Sequence, residues 1–385
     1  MKKKQFFMTA LAAIALASCS NDEVVTLKQG DSIGFRTSMN RTTSRAAETT
    51  IGNLGTFYAT AIGNSAAYFS DLAVTYTNKS WVPAGTYYWP DYDLAFYAYA
   101  PKTSATGDDY TLTPSIGANE QTIAYKPATT ASAQKDLVVA YNTVAAPGAN
   151  EVDGRNSVSL NFKHALSQIE VQATNASSTY QVDVIGVKVA NVAESGTFTY
   201  DSEVTTASHR FEQGVWTGLG SATTYTVAKT DAQEVITLGS TAESIMFTTT
   251  DVNNNWMLIP QSTNQWVKDT QTTGSYIAVL CRISRIVSAS STEQIYPDSR
   301  VDADLVTTVN GVEYAYSAVP VSISWLPGYK YTYTLNFFAD GGGAGVIDPD
   351  DDDNGGDAII GGGTISYTVT VDEEWIPASG SADME

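Results

Sequence analysis

Gly363-Thr364-Ile365-Ser366-Tyr367-Thr368-Val369-Thr370-Val371-Asp372-Glu373-Glu374-Trp375-Ile376-Pro377 is the stretch from which the chain is best read. Ile365, Tyr367, Val369 and Val371 alternate with Ser366, Thr368, Thr370 and Asp372. A period of two in β-branched and aromatic residues predicts a strand with one apolar face. Ahead of it stand Gly341-Gly342-Gly343 and the run Asp348-Pro349-Asp350-Asp351-Asp352-Asp353-Asn354-Gly355-Gly356-Asp357. Consecutive aspartates repel and glycine frees the backbone, so this composition predicts a solvated tether. A well-formed strand on a leash pairs either with its own body or with an open edge on another copy. The second arrangement is the expectation that organises the rest of the chain.

The 385 residues suffice for two ordinary domains. Tyr (22) and Trp (7) are frequent, Thr and Val abound, and only 16% of residues are charged, a composition that favours strands. The formal charge of −20 argues against nucleic acid and anionic membrane surfaces as partners. Two histidines leave no room for a multi-His metal site and little for His-based catalysis.

Residues 1–19 read as an export signal. Lys2-Lys3-Lys4 precedes an apolar run, Phe6 to Ala17, too short to span a bilayer as a mature helix. Leu16-Ala17-Ser18-Cys19 resembles a bacterial lipobox, which implies lipid on Cys19 and anchorage in the outer membrane. Ordinary signal cleavage beside an incidental cysteine is the alternative. Asp22 and Glu23 resemble a short acidic signal for display at the cell surface. Cys281, the other cysteine, lies in an apolar strand without a disulfide partner and reads as a small core residue.

Residues 20–45 are polar, with a strand-like patch at Ile33-Gly34-Phe35. Arg41 and Arg45 flank the most polar part, where backbone is easily nicked. Strands then follow in a first body, 46–150: Thr56 to Ile62, Thr86 to Pro90, Leu94 to Pro101 and Asp136 to Tyr141. Tyr87, Trp89, Phe96 and Tyr97 read as core packing, with a sugar-binding platform as the alternative. A second body, 151–338, begins at Val158-Ser159-Leu160-Asn161-Phe162, turns at Lys163-His164-Ala165-Leu166-Ser167, and ends in the alternating strand Lys330 to Phe337. His164 reads as a satisfied packing residue. Residues 339–385 hold the tether and the last strand. Many short strands punctuated by Gly, Pro, Asn and Asp predict an all-β fold of two antiparallel sandwiches.

No nucleophile elbow, phosphate loop or paired-cysteine zinc spacing is present, so neither an enzyme nor a cofactor is expected. Asp350, Asp352, Asn354 and Gly355 match the opening of a calcium loop. The twelfth position is Gly361 where a glutamate is required, and a solvated tether is the simpler reading.

These pieces together resemble the fimbrillin family of Bacteroidetes, the type V pilins. The resemblance rests on the lipobox and an Arg-Ala junction at Arg45-Ala46. It also rests on Tyr88-Trp89-Pro90 leading to Phe96-Tyr97-Ala98-Tyr99-Ala100-Pro101, on Phe162 to Ser167, on Trp325-Leu326-Pro327-Gly328-Tyr329-Lys330-Tyr331, and on a final alternating strand ending at Trp375. It implies two tandem transthyretin-like β-sandwich domains with a C-terminal donor-strand extension. It implies cleavage after Arg45 or Arg41 and removal of the first strand. It also implies polymerisation with other copies and related fimbrial subunits through Ile365, Tyr367, Val369, Val371 and Trp375. Burying the first four of those side chains contributes on the order of 6–10 kcal/mol before ordering costs. Carrying both the arginine and the extension matches a stalk subunit with an adhesive role. A monomeric lipid-anchored surface protein that binds glycans through its aromatics, on a host or bacterial surface, is the alternative.

Overall fold

The computed structural model describes residues 32–39, 52–147, 154–200, 216–228, 235–247, 255–339, 342–361 and 363–372. These form an all-β protein with two single-turn 3-10 segments, Ala131–Ala133 and Ala303–Leu305. No helix among them is long and apolar enough to cross a membrane.

The first ten strands are β1 (Gly34–Ser38), β2 (Thr56–Gly63), β3 (Ala66–Thr77), β4 (Ser80–Pro83), β5 (Leu94–Ala100), β6 (Thr111–Ile116), β7 (Gln121–Lys126), β8 (Val138–Val144), β9 (Ser157–Asn161) and β10 (Lys163–His164). Eight of them make one sheet in the order β10-β8-β5-β2-β3-β4-β1-β9. Its two ends, β9 and β10, are neighbours in sequence, joined through Phe162, so the sheet curls back on itself at that corner. Phe57 sits at the centre of the enclosed core, with ring centroids 5.0 Å from Trp81, 5.2 Å from Phe162 and 5.7 Å from Phe35. Aromatic rings at such tilted contacts bury large areas and fix the interior.

The chain continues through β11 (Ser167–Asn175), β12 (Tyr180–Ala193), β13 (Gly196–Thr199), β14 (Ala222–Ala228), β15 (Trp256–Leu258), β16 (Tyr276–Ser288), β17 (Ser291–Tyr296), β18 (Val312–Pro320), β19 (Lys330–Phe337), β20 (Val346–Ile347) and β21 (Ser366–Asp372). β11, β19 and β21 lie side by side, with β15 also on β11. The facing sheet runs β14-β12-β16-β18, with β17 on β16 and β20 on β18. Between them is the largest core, where Trp256, Tyr296, Trp325 and Tyr333 are buried. The alternation read from Lys330 to Phe337 is kept: Tyr331, Tyr333, Leu335 and Phe337 are buried and the residues between them are not.

Two expectations meet a different arrangement. Val158–Asn161, expected to open the second body, instead closes the first sheet, because β9 pairs in parallel with β1 across more than a hundred residues. Sheet membership also crosses the boundary at 150 elsewhere, since β13 pairs with β7, which pairs with β6. That small sheet covers the outer face of β5 and β8 through Tyr99, Tyr125, Val139 and Phe198. β5 is therefore packed on both faces, with Phe96 and Ala98 turned to one core and Tyr99 to the other.

The larger correction concerns the aspartate-rich segment, which is folded. Val346 and Ile347 pair with Ala318 and Ser317 of β18. Asp348 is 2% exposed and Asp351 4%, values incompatible with a solvated tether. The reason is a set of partners remote in sequence, described below.

Candidate functional site

The first and last described strands and one loop make up the candidate site. The first strand, β1, begins at a close approach of backbones. A Cβ on Gly34 would stand 3.0 Å from the Asn156 carbonyl oxygen, so a side chain there would force the two strands apart. On either side of it the period-two pattern turns Ile33, Phe35 and Met39 into the first core, and all three are buried. β1 is an interior strand of the sheet, parallel to β9 over five residue pairs and antiparallel to β4 at Phe35 and Trp81. The Ile33 N–H donates to the Tyr87 carbonyl at 2.8 Å, and the Phe162 N–H donates to Ser38 at 2.8 Å. Burial of three large apolar side chains stabilises this strand by roughly 5–9 kcal/mol. Arg41, Arg45 and Ala46 lie outside the described residues. Both arginines follow β1 in sequence, so a cut after either one puts all of β1 on the N-terminal fragment.

The last described strand, β21, expected to pair with another copy, here pairs antiparallel with β19 of its own chain, from Lys330–Asp372 to Asn336–Ser366, at the edge of the sheet. Its four alternating anchors are not equivalent. Ile365 is 2% exposed inside the main core, and Tyr367 packs 6.4 Å from the Tyr333 ring. Val369 and Val371, opposite Tyr333 and Tyr331, are 40% and 45% exposed. The strand is thus rooted at its start and uncovered over its second half. A cavity of about 380 Å³ lies at the root, lined by Trp266, Val267, Val346, Ile365 and Tyr367 among others. Trp375 and Cys19 lie outside the described residues.

The loop between β20 and β21 is held by charge and by backbone. Lys188 on β12, buried in the facing sheet, points its Nζ at Asp348 Oδ2 and Asp350 Oδ2, each at 2.7 Å. Burial pushes the Asp348 carboxyl up, against the pull of the Lys188 ammonium. Asp351 behaves oppositely. Burial would raise its carboxyl, yet N–H donors of Asp302, Asn354 and Asp353 at 2.8–3.1 Å hold it below the usual range. Arg300 donates to the carbonyls of Ala358 and Ile359 at 2.9 Å, and Lys268 pairs with Asp357 at 2.7 Å. The calcium-loop match begins at Asp350. Asp350 is turned to a lysine, and no group of metal-ligating residues exists among the described residues.

His164 is packed as expected, its Nδ1 2.8 Å from Asp136 Oδ2. Of the aromatics in the alternative sugar platform, Trp89 and Phe96 are buried, with the Arg155 guanidinium over the Trp89 ring at 4.9 Å, and Tyr87 and Tyr97 are half-buried.

The model of the fimbrillin-like family matches residues 22–280, about two thirds of the sequence. The chain belongs to the fimbrillin-like family. A fimbrial protein from Bacteroides vulgatus has a similar structure, with 16% identity and a TM-score of 0.50 over 89% of this fimbrillin-like chain and 99% of the other. A protein from Bacteroides uniformis described as a cell adhesion protein aligns with 13% identity and a TM-score of 0.42, over 89% and 97% of the two chains. Another from Parabacteroides distasonis, with the same description, has 10% identity and a TM-score of 0.42 over 92% and 99%. No curated protein sequence is detectably similar to this one.

Proposed function

We propose that this fimbrillin-like chain is a structural, non-catalytic subunit of a cell-surface fimbria with a role in adhesion, and that it polymerises by exchange of strands. In this reading two tandem sandwich domains are exported as a lipoprotein through Cys19 to the outer membrane. A protease then cuts after Arg41 or Arg45. The fragment carrying β1 leaves the sheet, and the slot between β4 and β9 takes the C-terminal strand of a neighbouring subunit. The contact joins unlike surfaces, so it propagates as an open filament, with the chain as a stalk unit.

The observation that carries this is the place of β1. β1 is an interior strand and the first strand among the described residues, and both arginines follow it in sequence. Removing it leaves two facing ladders and an apolar trough, which water solvates poorly. The uncovered Val369 and Val371 supply the second half of the reading, an alternating strand whose apolar face is only partly used at home.

Limited trypsin treatment of protein lacking residues 1–19, followed by size-exclusion chromatography and mass spectrometry, tests it. Cleavage after Arg41 or Arg45 with growth of high-mass ladders is expected, and deletion of 363–385 abolishes the ladders. A cleaved monomer that keeps its intact tail and stays monomeric overturns the proposal.

A further inference from the structure

The Lys188 cluster has more parts than an ion pair needs. The Nζ lies 2.7 Å from Asp348 Oδ2, which places the Asp348 carboxyl carbon next to a buried amine. Asp348 Oδ1, the other oxygen, accepts from the Tyr276 hydroxyl and from the Asp350 backbone N–H, each at 3.3 Å. Asp350 Oδ2 sits on the same Nζ at 2.7 Å, with its side chain 58% exposed. The rings of Tyr316 and Tyr276 flank the nitrogen at 4.6 and 5.5 Å and wall it from solvent on that side. A nucleophile, an electrophilic carbon, two donors on one oxygen and a second carboxylate on the nucleophile make up an acyl-transfer constellation.

We propose that Lys188 and Asp348 condense to an intramolecular isopeptide bond, a covalent cross-link between β12 and the segment that leads to β21. The Lys188 ammonium passes one proton to Asp348 Oδ2, the free amine attacks Cγ of the carboxylic acid so formed, and Asp350 takes a second proton from the nitrogen. Charge gathers on Oδ1 under the Tyr276 and Asp350 N–H donors. The bond from Cγ to Oδ2 breaks, and Oδ2 leaves as water with the proton that Asp350 carried. Ammonium and carboxylate become amide and water, with no oxidant, metal or co-reactant. Burial helps twice. It pushes the Asp348 carboxyl toward its neutral, electrophilic form, and the amide removes two charges that are costly to bury. The cross-link ties the base of the C-terminal extension to the facing sheet, and the proposal stands whether or not the chain polymerises.

Denaturing mass spectrometry of the full chain tests it, with each variant's mass corrected for its substitution so that processing cancels. The native chain is expected one water lighter than Lys188→Arg and Asp348→Ala. Its tryptic digest should yield a branched peptide joining the segments around Lys188 and Asp348. Asp350→Ala should form the bond at least about a hundredfold more slowly, and Asp348→Asn should still form it with loss of ammonia. Native chain at full mass, with both segments recovered as linear peptides, overturns the proposal. That result depends on no variant folding.

Discussion

Asp351 and Asp352 are adjacent, chemically identical and, to a reader of the sequence, interchangeable. The fold separates them. The carboxylate of Asp351 accepts from Asp302, Asp353 and Asn354, whereas Asp352 is exposed. Asp351→Ala strands those backbone donors and is expected to cost about 1–3 kcal/mol, while Asp352→Ala stays within about 0.5 kcal/mol. Urea denaturation of the two variants checks this directly. The same carboxylate sets a pH dependence. Because the folded state holds its affinity for protons below that of the unfolded chain, its contribution is present above the ordinary carboxylate value of about 3.9. It is lost as pH falls through the lower folded value. Native chain should therefore lose more stability than Asp351→Ala between pH 5 and strongly acidic conditions; equal losses would remove Asp351 from the account.

At the scale of the element, β21 is the most informative strand because its two halves differ. Val369→Lys with Val371→Lys alters side chains that are already nearly half exposed, so the monomer should keep its stability within about 0.5 kcal/mol. Those lysines would nonetheless be carried into an apolar slot during exchange, and ladders should be absent. Ile365→Ala should instead cost the monomer about 2–5 kcal/mol, since that side chain fills the main core. A melt of each variant beside its assembly gel distinguishes the two. The sequence made much of this readable. The period of two marked Ile33-Gly34-Phe35, Lys330 to Phe337 and Ile365 to Val371, because alternation is a local property and so is a half-buried strand. What it hid was long-range. The place of Val158–Asn161 depends on a parallel partner more than a hundred residues away. The aspartate run reads as solvated until Lys188 and Arg300, on other strands and loops, are brought against it.

For the whole molecule, net charge is the quantity that assembly must contend with. The full sequence carries a formal −20, residues 1–45 hold more Lys and Arg than Asp and Glu, and stacking cleaved copies end to end would bring strongly like-charged bodies together. Raising ionic strength from low salt to about 0.15 M shortens the Debye length from ~30 to ~8 Å and should speed ladder growth of cleaved protein. Turbidity or light scattering across a salt series measures it, and a rate indifferent to salt would show that encounter is not what limits growth.

The position of β1 has one more consequence. It runs parallel to β9, along which it makes five pairs, and antiparallel to β4, which it meets at one. A replacement entering the slot in the opposite direction would lie antiparallel to the longer wall, the slightly more stable form of ladder per residue. Resident and newcomer would then compete unequally, even with equally good side chains. Exchange in that direction would act as a ratchet, and a large excess of free peptide spanning residues 32–39 should fail to dissolve a finished fibre.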